Sequence, residues 1–213
     1  KSSREDWETQ YTKGLDLLGF KYEERTRPFR GASAVTHPVL SEAAVQFQSQ
    51  AYKELLPANG PVKTAIIGQV NEALEQQAQR VQDYMNYQIT YVMKDYETET
   101  DQMLFYLPLA GSAFRKVFYD SSEEKARSQF VPAEDLVVPS GASYLDEAER
   151  VTHVIKMNEI ELKKKQIFGM YRDIDVRPFN EDDQVQDKYD SIEGVKSKGY
   201  TADMYTLYES HCY

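Results

Sequence analysis

The residue types able to do chemistry are scattered along this chain. Three histidines, His37, His153 and His211, stand far apart, and none lies at metal-ligand spacing from a cysteine or another histidine. A zinc site takes about four converging ligands. The spacing therefore predicts no metal centre, with His37 at a helix start, His153 in a strand and His211 in the final segment. Gly60-Pro61-Val62-Lys63-Thr64 has the Lys-Thr ending of a phosphate-binding loop. It lacks the glycine directly before the lysine and the glycine five residues ahead of that, and Pro61 removes an N–H that a phosphate cradle would use. It reads as a turn entering a strand. No Gly-x-Gly-x-x-Gly or Gly-x-Ser-x-Gly occurs; Gly111-Ser112 and Ser140-Gly141 are loop punctuation.

Charged clusters are the remaining candidates. Glu181, Asp182, Asp183, Asp187 and Asp190 crowd one segment. A calcium loop needs a fixed ligand spacing and a central glycine for its sharp turn, and both are missing. The cluster reads as a solvated acidic loop. Arg25, Arg27 and Arg30 flank Pro28 and Phe29, and Lys163, Lys164 and Lys165 run together. Both groups offer weak phosphate or interface contacts, and a solvent-facing charge run is the plainer account of each. No catalytic residue and no cofactor site emerge, so no cofactor and no enzymatic activity are expected.

The elements that would position these residues follow from periodicity. Trp7, Tyr11, Leu15 and Leu18 fall at helical spacing in 3–18, and Gly19 is placed to end that helix. Residues 20–30 read as extended, because Pro28 disfavours helix at Arg27. Leu40, Ala44, Phe47, Ala51 and Leu55 make one apolar stripe over 38–56, which Pro57, Gly60 and Pro61 stop. Residues 62–67 read as a short strand. A single long helix is predicted over 71–99, capped by Asn71, with Leu74, Ala78, Val81, Met85, Ile89, Val92 and Tyr96 as its buried stripe. A further helix is expected from Asp101 to Leu107, ending at Pro108.

Alternation then takes over. Phe114–Tyr119, Gln129–Val131, Leu136–Val138 and Val151–Met157 read as strands, with 120–128 as a polar hairpin tip. Asn158 and Glu161 form a capping-box pattern for a short helix that Gly169 ends. Residues 173–199 turn acidic and aperiodic, an expected loop or disordered insertion, and 204–213 read as a last strand. The order, helices first and strands after, predicts an α+β fold: long amphipathic helices packed with a small, mostly antiparallel sheet. We divide the 213 residues into an α+β domain over 1–172, the insertion at 173–199 and a strand of a truncated continuation at 200–213.

Composition bounds the function. Hydrophobic residues make up 41% of the chain, enough for a buried core. No apolar run approaches the roughly 18 residues of a membrane-spanning helix, and no membrane partner is expected. The formal net charge is −10, which opposes tight non-specific grip on nucleic acid. The 16 tyrosines suit either an ordinary core or interfaces. The one cysteine, Cys212, makes no internal disulfide and fits a reducing compartment. The absence of a starting Met is what a piece of a longer protein would show.

An ordered series of strings carries a resemblance: Glu24–Ala32, His37–Ala43, Gly60–Thr64, Asp101–Phe114, Phe130–Asp135 and Glu149–Val154. Together they resemble the portal proteins of tailed bacteriophages, of the phage P22 type, most clearly over 20–172. The resemblance implies a structural subunit of a ring, usually of twelve copies, at one vertex of the capsid. Such a ring is the conduit for DNA packaging and ejection. Its implied partners are its own copies, capsid protein, terminase and tail or adaptor proteins, with DNA passing through without tight binding. The implied location is the virion, and the host cytoplasm during assembly. The portal is not the packaging ATPase, and the resemblance carries over no site residue. This piece resembles the wing and its leading helices, without the stem and clip. Composition and patterning alone leave open a protein-binding adaptor module of another large assembly.

Overall fold

The computed structural model describes residues 4–18, 29, 37–121, 123–178 and 204–212. Among these the order is α1 (Glu5–Leu18), α2 (Val39–Leu55), α3 (Glu72–Tyr87), α4 (Tyr96–Ala110), β1 (Ala113–Asp120), β2 (Lys125–Pro132), β3 (Leu136–Val137), β4 (Arg150–Asn158), α5 (Glu159–Ile167) and β5 (Met204–Cys212). The fold is α+β, with two small antiparallel sheets, β1-β2 and β3-β4-β5. The chain divides into two compact units, Lys1–Glu42 with Ala133–Tyr213, and Ala43–Pro132.

In the first unit, α1 buries Tyr11 and Leu15, four apart on one face, and Trp7 stacks on Tyr11 with ring centroids 5.1 Å apart. The helix runs through Gly14 to Leu18. Strand β4 pairs along its whole length with β5, Arg150 opposite Cys212 and Asn158 opposite Met204. Of the predicted inward face, His153 and Met157 are buried, whereas Val151 and Ile155 are half-buried like Thr152, Val154 and Lys156 on the other face. The Asn158 side chain accepts a hydrogen bond from the Glu161 N–H at 2.8 Å, so the expected cap starts α5. Gly169, at φ 74°, closes it, and Leu162 is buried. Residues 171–178 have no regular structure. The rest of the 173–199 insertion lies outside the described residues.

In the second unit, α4 packs on the β1-β2 hairpin and supplies the core with Thr100, Leu104 and Ala110, joined by Ala44 of α2 and by Phe130 and Val131 of β2. Tyr106 stacks on Phe130 at 5.7 Å. Three expectations are corrected here. The single helix over 71–99 is two helices, separated by a π-turn at Gln88–Val92 and a non-helical Met93 (φ −89°, ψ 68°). The reason is that the halves have different partners: α3 holds the segment 62–64, whereas α4 holds the hairpin. The helix expected to stop at Pro108 continues to Ala110 and ends on Gly111 at φ 77°, whose N–H bonds Leu107 O. Pro108 gives up the N–H that would bond Leu104 O, and the last turn is closed instead by the Gly111 N–H. The hairpin tip is also shorter than 120–128, because Lys125–Ser128 pair with Asp120–Val117 in register.

The predicted buried stripe of α3 is the largest difference. No residue of α3 is buried, and Leu74, Val81 and Met85 are exposed. The covered face is offset from the stripe and shares only Ala78 with it: Ala78, Gln82 and Asn86 are half-buried and bond residues 62–64. Those residues are therefore not a ladder strand: their partner is a helix.

Candidate functional site

The sequence-marked groups do not converge. Arg25, Arg27 and Arg30 lie outside the described residues, as do Glu181, Asp182, Asp183, Asp187 and Asp190. Lys163, Lys164 and Lys165 sit on α5, each with a different environment. Lys163 pairs with Glu159 one turn back, and the hydrogen bond to that carboxylate holds its pKa above the usual lysine value. Lys164 faces solvent, and Lys165 is half-buried with its ammonium over the Tyr171 ring at 5.6 Å. Lys164 and Lys165 also stand in the last turn, where a cation complements the helix dipole. Burial raises the Tyr171 phenol, with the Glu209 carboxylate adding to the rise.

The histidines are equally separate. His37 is exposed ahead of α2, His153 is buried in β4, and the His211 ring stands 3.0 Å from the Glu209 carboxylate on β5. Among the described residues no group of three or more His, Cys, Asp or Glu side chains is arranged to hold a metal ion. Cys212 is exposed at the end of β5. In the Gly60–Thr64 turn, Gly60 adopts φ 92°. The Val62 N–H donates to Asn86 Oδ1 at 2.9 Å and the Thr64 N–H to Gln82 Oε1 at 3.2 Å. Two of the amides a phosphate would need are thus already engaged. No described helix is long and apolar enough to cross a membrane.

What the polar side chains do instead is clamp elements together. Arg4 donates to the carbonyls of Ala133 (3.3 Å), Glu134 (2.7 Å) and Leu136 (3.1 Å), and to Glu8 at 2.8 Å. One guanidinium so satisfies a cluster of loop carbonyls that the short helical turn at Ala133–Asp135 leaves open. At the foot of α4, Arg127 of β2 meets Asp95 at 2.6 Å and Asp120 at 3.6 Å. Glu99 accepts the Phe130 N–H at 2.6 Å, and Arg115 donates to Thr100 Oγ1 at 2.6 Å while lying over the Tyr96 ring at 4.6 Å. Between α2 and α4, Gln48 donates to Asp101 Oδ1 at 2.7 Å and the Tyr52 hydroxyl donates to Glu97. That hydrogen bond is the first cause of a Tyr52 pKa pushed up to about 12.

None of these clamps was legible beforehand. Apart from Arg4–Glu8 and Arg127–Asp120, each joins residues 15 to 132 positions apart, and no periodicity or capping pattern pairs them. Periodicity assigns Gln82 to the outer face of a helix, with no hint that a loop backbone returns to it. The arrangement holds elements in place and presents no convergent set of acid, base and nucleophile among the described residues. Compared with protein-family models and with curated protein sequences, the chain matches none.

Proposed function

We propose that this chain is the wing-like part of a portal subunit of a tailed bacteriophage. The observation that carries the reading is the ordered series from Glu24 to Val154, above all Asp101–Phe114 with Phe130–Asp135. The polar clamps suit a part that bears load: a charged side chain that bridges a helix and a hairpin resists their separation. In this reading the subunit assembles as a closed ring, usually of twelve copies, and the contacts between copies are heterologous, which is what a ring requires. The ring sits at a capsid vertex, docks terminase during packaging and tail or adaptor proteins afterwards, and passes DNA without hydrolysing ATP. It assembles in the host cytoplasm and remains in the virion.

The test is electron microscopy of the purified full-length protein that contains this chain. Closed rings with a central channel are the expected result. A monodisperse monomer at micromolar concentration would overturn the proposal and leave the adaptor reading in its place.

A further inference from the structure

The open side of α3 carries a pattern of its own. Arg80, Tyr84, Tyr87 and Tyr91 follow one another at spacings of four, three and four residues, which sets them in one line along the helix. The π-turn at Gln88–Val92 keeps the line intact, because the Tyr87 and Tyr91 rings stack with centroids 5.7 Å apart. The three tyrosines are 61%, 53% and 68% exposed. Arg80 is exposed and has no ion pair among the described residues. The amides of Gln82 and Asn86, which hold residues 62–64, lie on another side of the helix.

Tyrosine and arginine are the side chains that dominate the energetic centres of protein interfaces. A whole aromatic side chain buries about 150–250 Å², so the three rings leave roughly 300–450 Å² open on each copy. A phosphate chain or an anionic membrane does not suit this helix, since Glu72, Glu75 and Asp83 outnumber Arg80. The spacing itself points to the partner. Four, three, four reads the same in both directions, and a patch that matches itself under a two-fold rotation is what a symmetric dimer requires.

We propose that this line is a self-association surface, on which a second copy of the chain docks with its helix antiparallel. The axis passes between Met85 and Asn86. Arg80 then lies over the ring of the partner's Tyr91, a cation–π contact, and Tyr84 packs against the partner's Tyr87. Both contacts recur on the other side of the axis. The two arginines stand eleven helical residues apart along the axis, about 16 Å, so like charges do not meet. The two copies together bury roughly 600–900 Å² of tyrosine surface, at the low end for a specific interface, which makes the dimer a weak one. The contact is two-fold, distinct from the heterologous contacts of a ring, and stands whether or not the ring assignment holds.

Sedimentation velocity of the 213-residue chain tests it. The expected result is a dimer at about 100 μM that dissociates on dilution to about 1 μM. Tyr84→Asp combined with Tyr87→Asp should abolish the dimer while helix content by circular dichroism stays unchanged. Tyr119→Asp, at a tyrosine equally exposed on β1, should leave it intact. Orientation is read by disulfide cross-linking in a Cys212→Ser background, which removes the one native thiol. Chains with Arg80→Cys and chains with Tyr91→Cys should cross-link when mixed and not when oxidised separately. Like positions lie about 16 Å apart, and a disulfide spans no more than about 7 Å between Cα atoms. This readout holds even where the double aspartate variant fails to fold. A monomer at about 100 μM, a dimer that survives the double substitution in folded protein, or cross-linking of like with like would each overturn the proposal.

Discussion

Asn86 uses one side-chain amide twice, donating to and accepting from the same residue, Val62. That geometry tolerates no bulk at Gly60. A Cβ there would stand 2.5 Å from the Asn86 side chain, and φ 92° is a conformation that suits glycine. Gly60→Ala should therefore destabilise the protein by about 1–3 kcal/mol, through strain and the displaced amide, checked by urea denaturation. Gly14→Ala is the control, because a Cβ there meets nothing within 4 Å. Tyr52 gives a pH-dependent counterpart. Its hydroxyl donates to Glu97, and its pKa rises from 10.0 to about 12. A raised pKa means that the bond stabilises the fold fully below the unfolded value and is lost as pH climbs through the folded one. Spectrophotometric titration should show that Tyr52→Phe removes one phenol titrating near 12, not near 10. The stability difference between the two proteins should be flat from neutral pH to about 10 and shrink above it.

At the scale of elements, the contrast between α3 and α4 decides what substitutions do. Both carry apolar residues at helical spacing, but α4 lies against the hairpin and buries Leu104 to 2% exposure, whereas Val81 of α3 is 47% exposed. Leu104→Ala should cost about 2–5 kcal/mol through lost burial and the cavity left behind. Val81→Ala should cost less than about 1 kcal/mol, since little area leaves water there in the first place. Equal costs in a denaturation series would mean that the α3 stripe is covered after all. Periodicity shows that a stripe exists. It does not show which of two adjacent faces meets a partner, and in α3 the amide-bearing face does.

For the whole molecule, charge and assembly set the expectation. In the proposed portal reading the wall has to let DNA slide, and each phosphate neutralised by a protein cation must be released again at every step. With a net charge of −10, the chain should bind duplex DNA only weakly at physiological salt. Residual attraction should trace to Arg25, Arg27 and Arg30 and, in smaller part, to Lys163–Lys165, where Lys163 is held by Glu159. It should fade as salt rises. Fluorescence anisotropy with a short random duplex checks this; sub-micromolar binding at physiological salt would move a DNA-binding module ahead of the portal reading.

Features that depend on near neighbours were decided by the sequence alone: the α+β class, the β1-β2 pair, the strand that buries His153 and Met157, and the Asn158 cap of α5. Their causes lie within a few residues, in side-chain period, cap chemistry and turn residues. The break at Met93, the exposed stripe of α3 and the clamps of Arg4, Glu99 and Asn86 were decided only by tertiary structure. Each depends on a partner brought from a distance: Glu99 reaches a strand amide 31 residues away, and Asn86 a loop 24 residues back. An amide on a helix surface bonds water equally well until a backbone arrives. No local pattern distinguishes the amide that will be met from the one that will not.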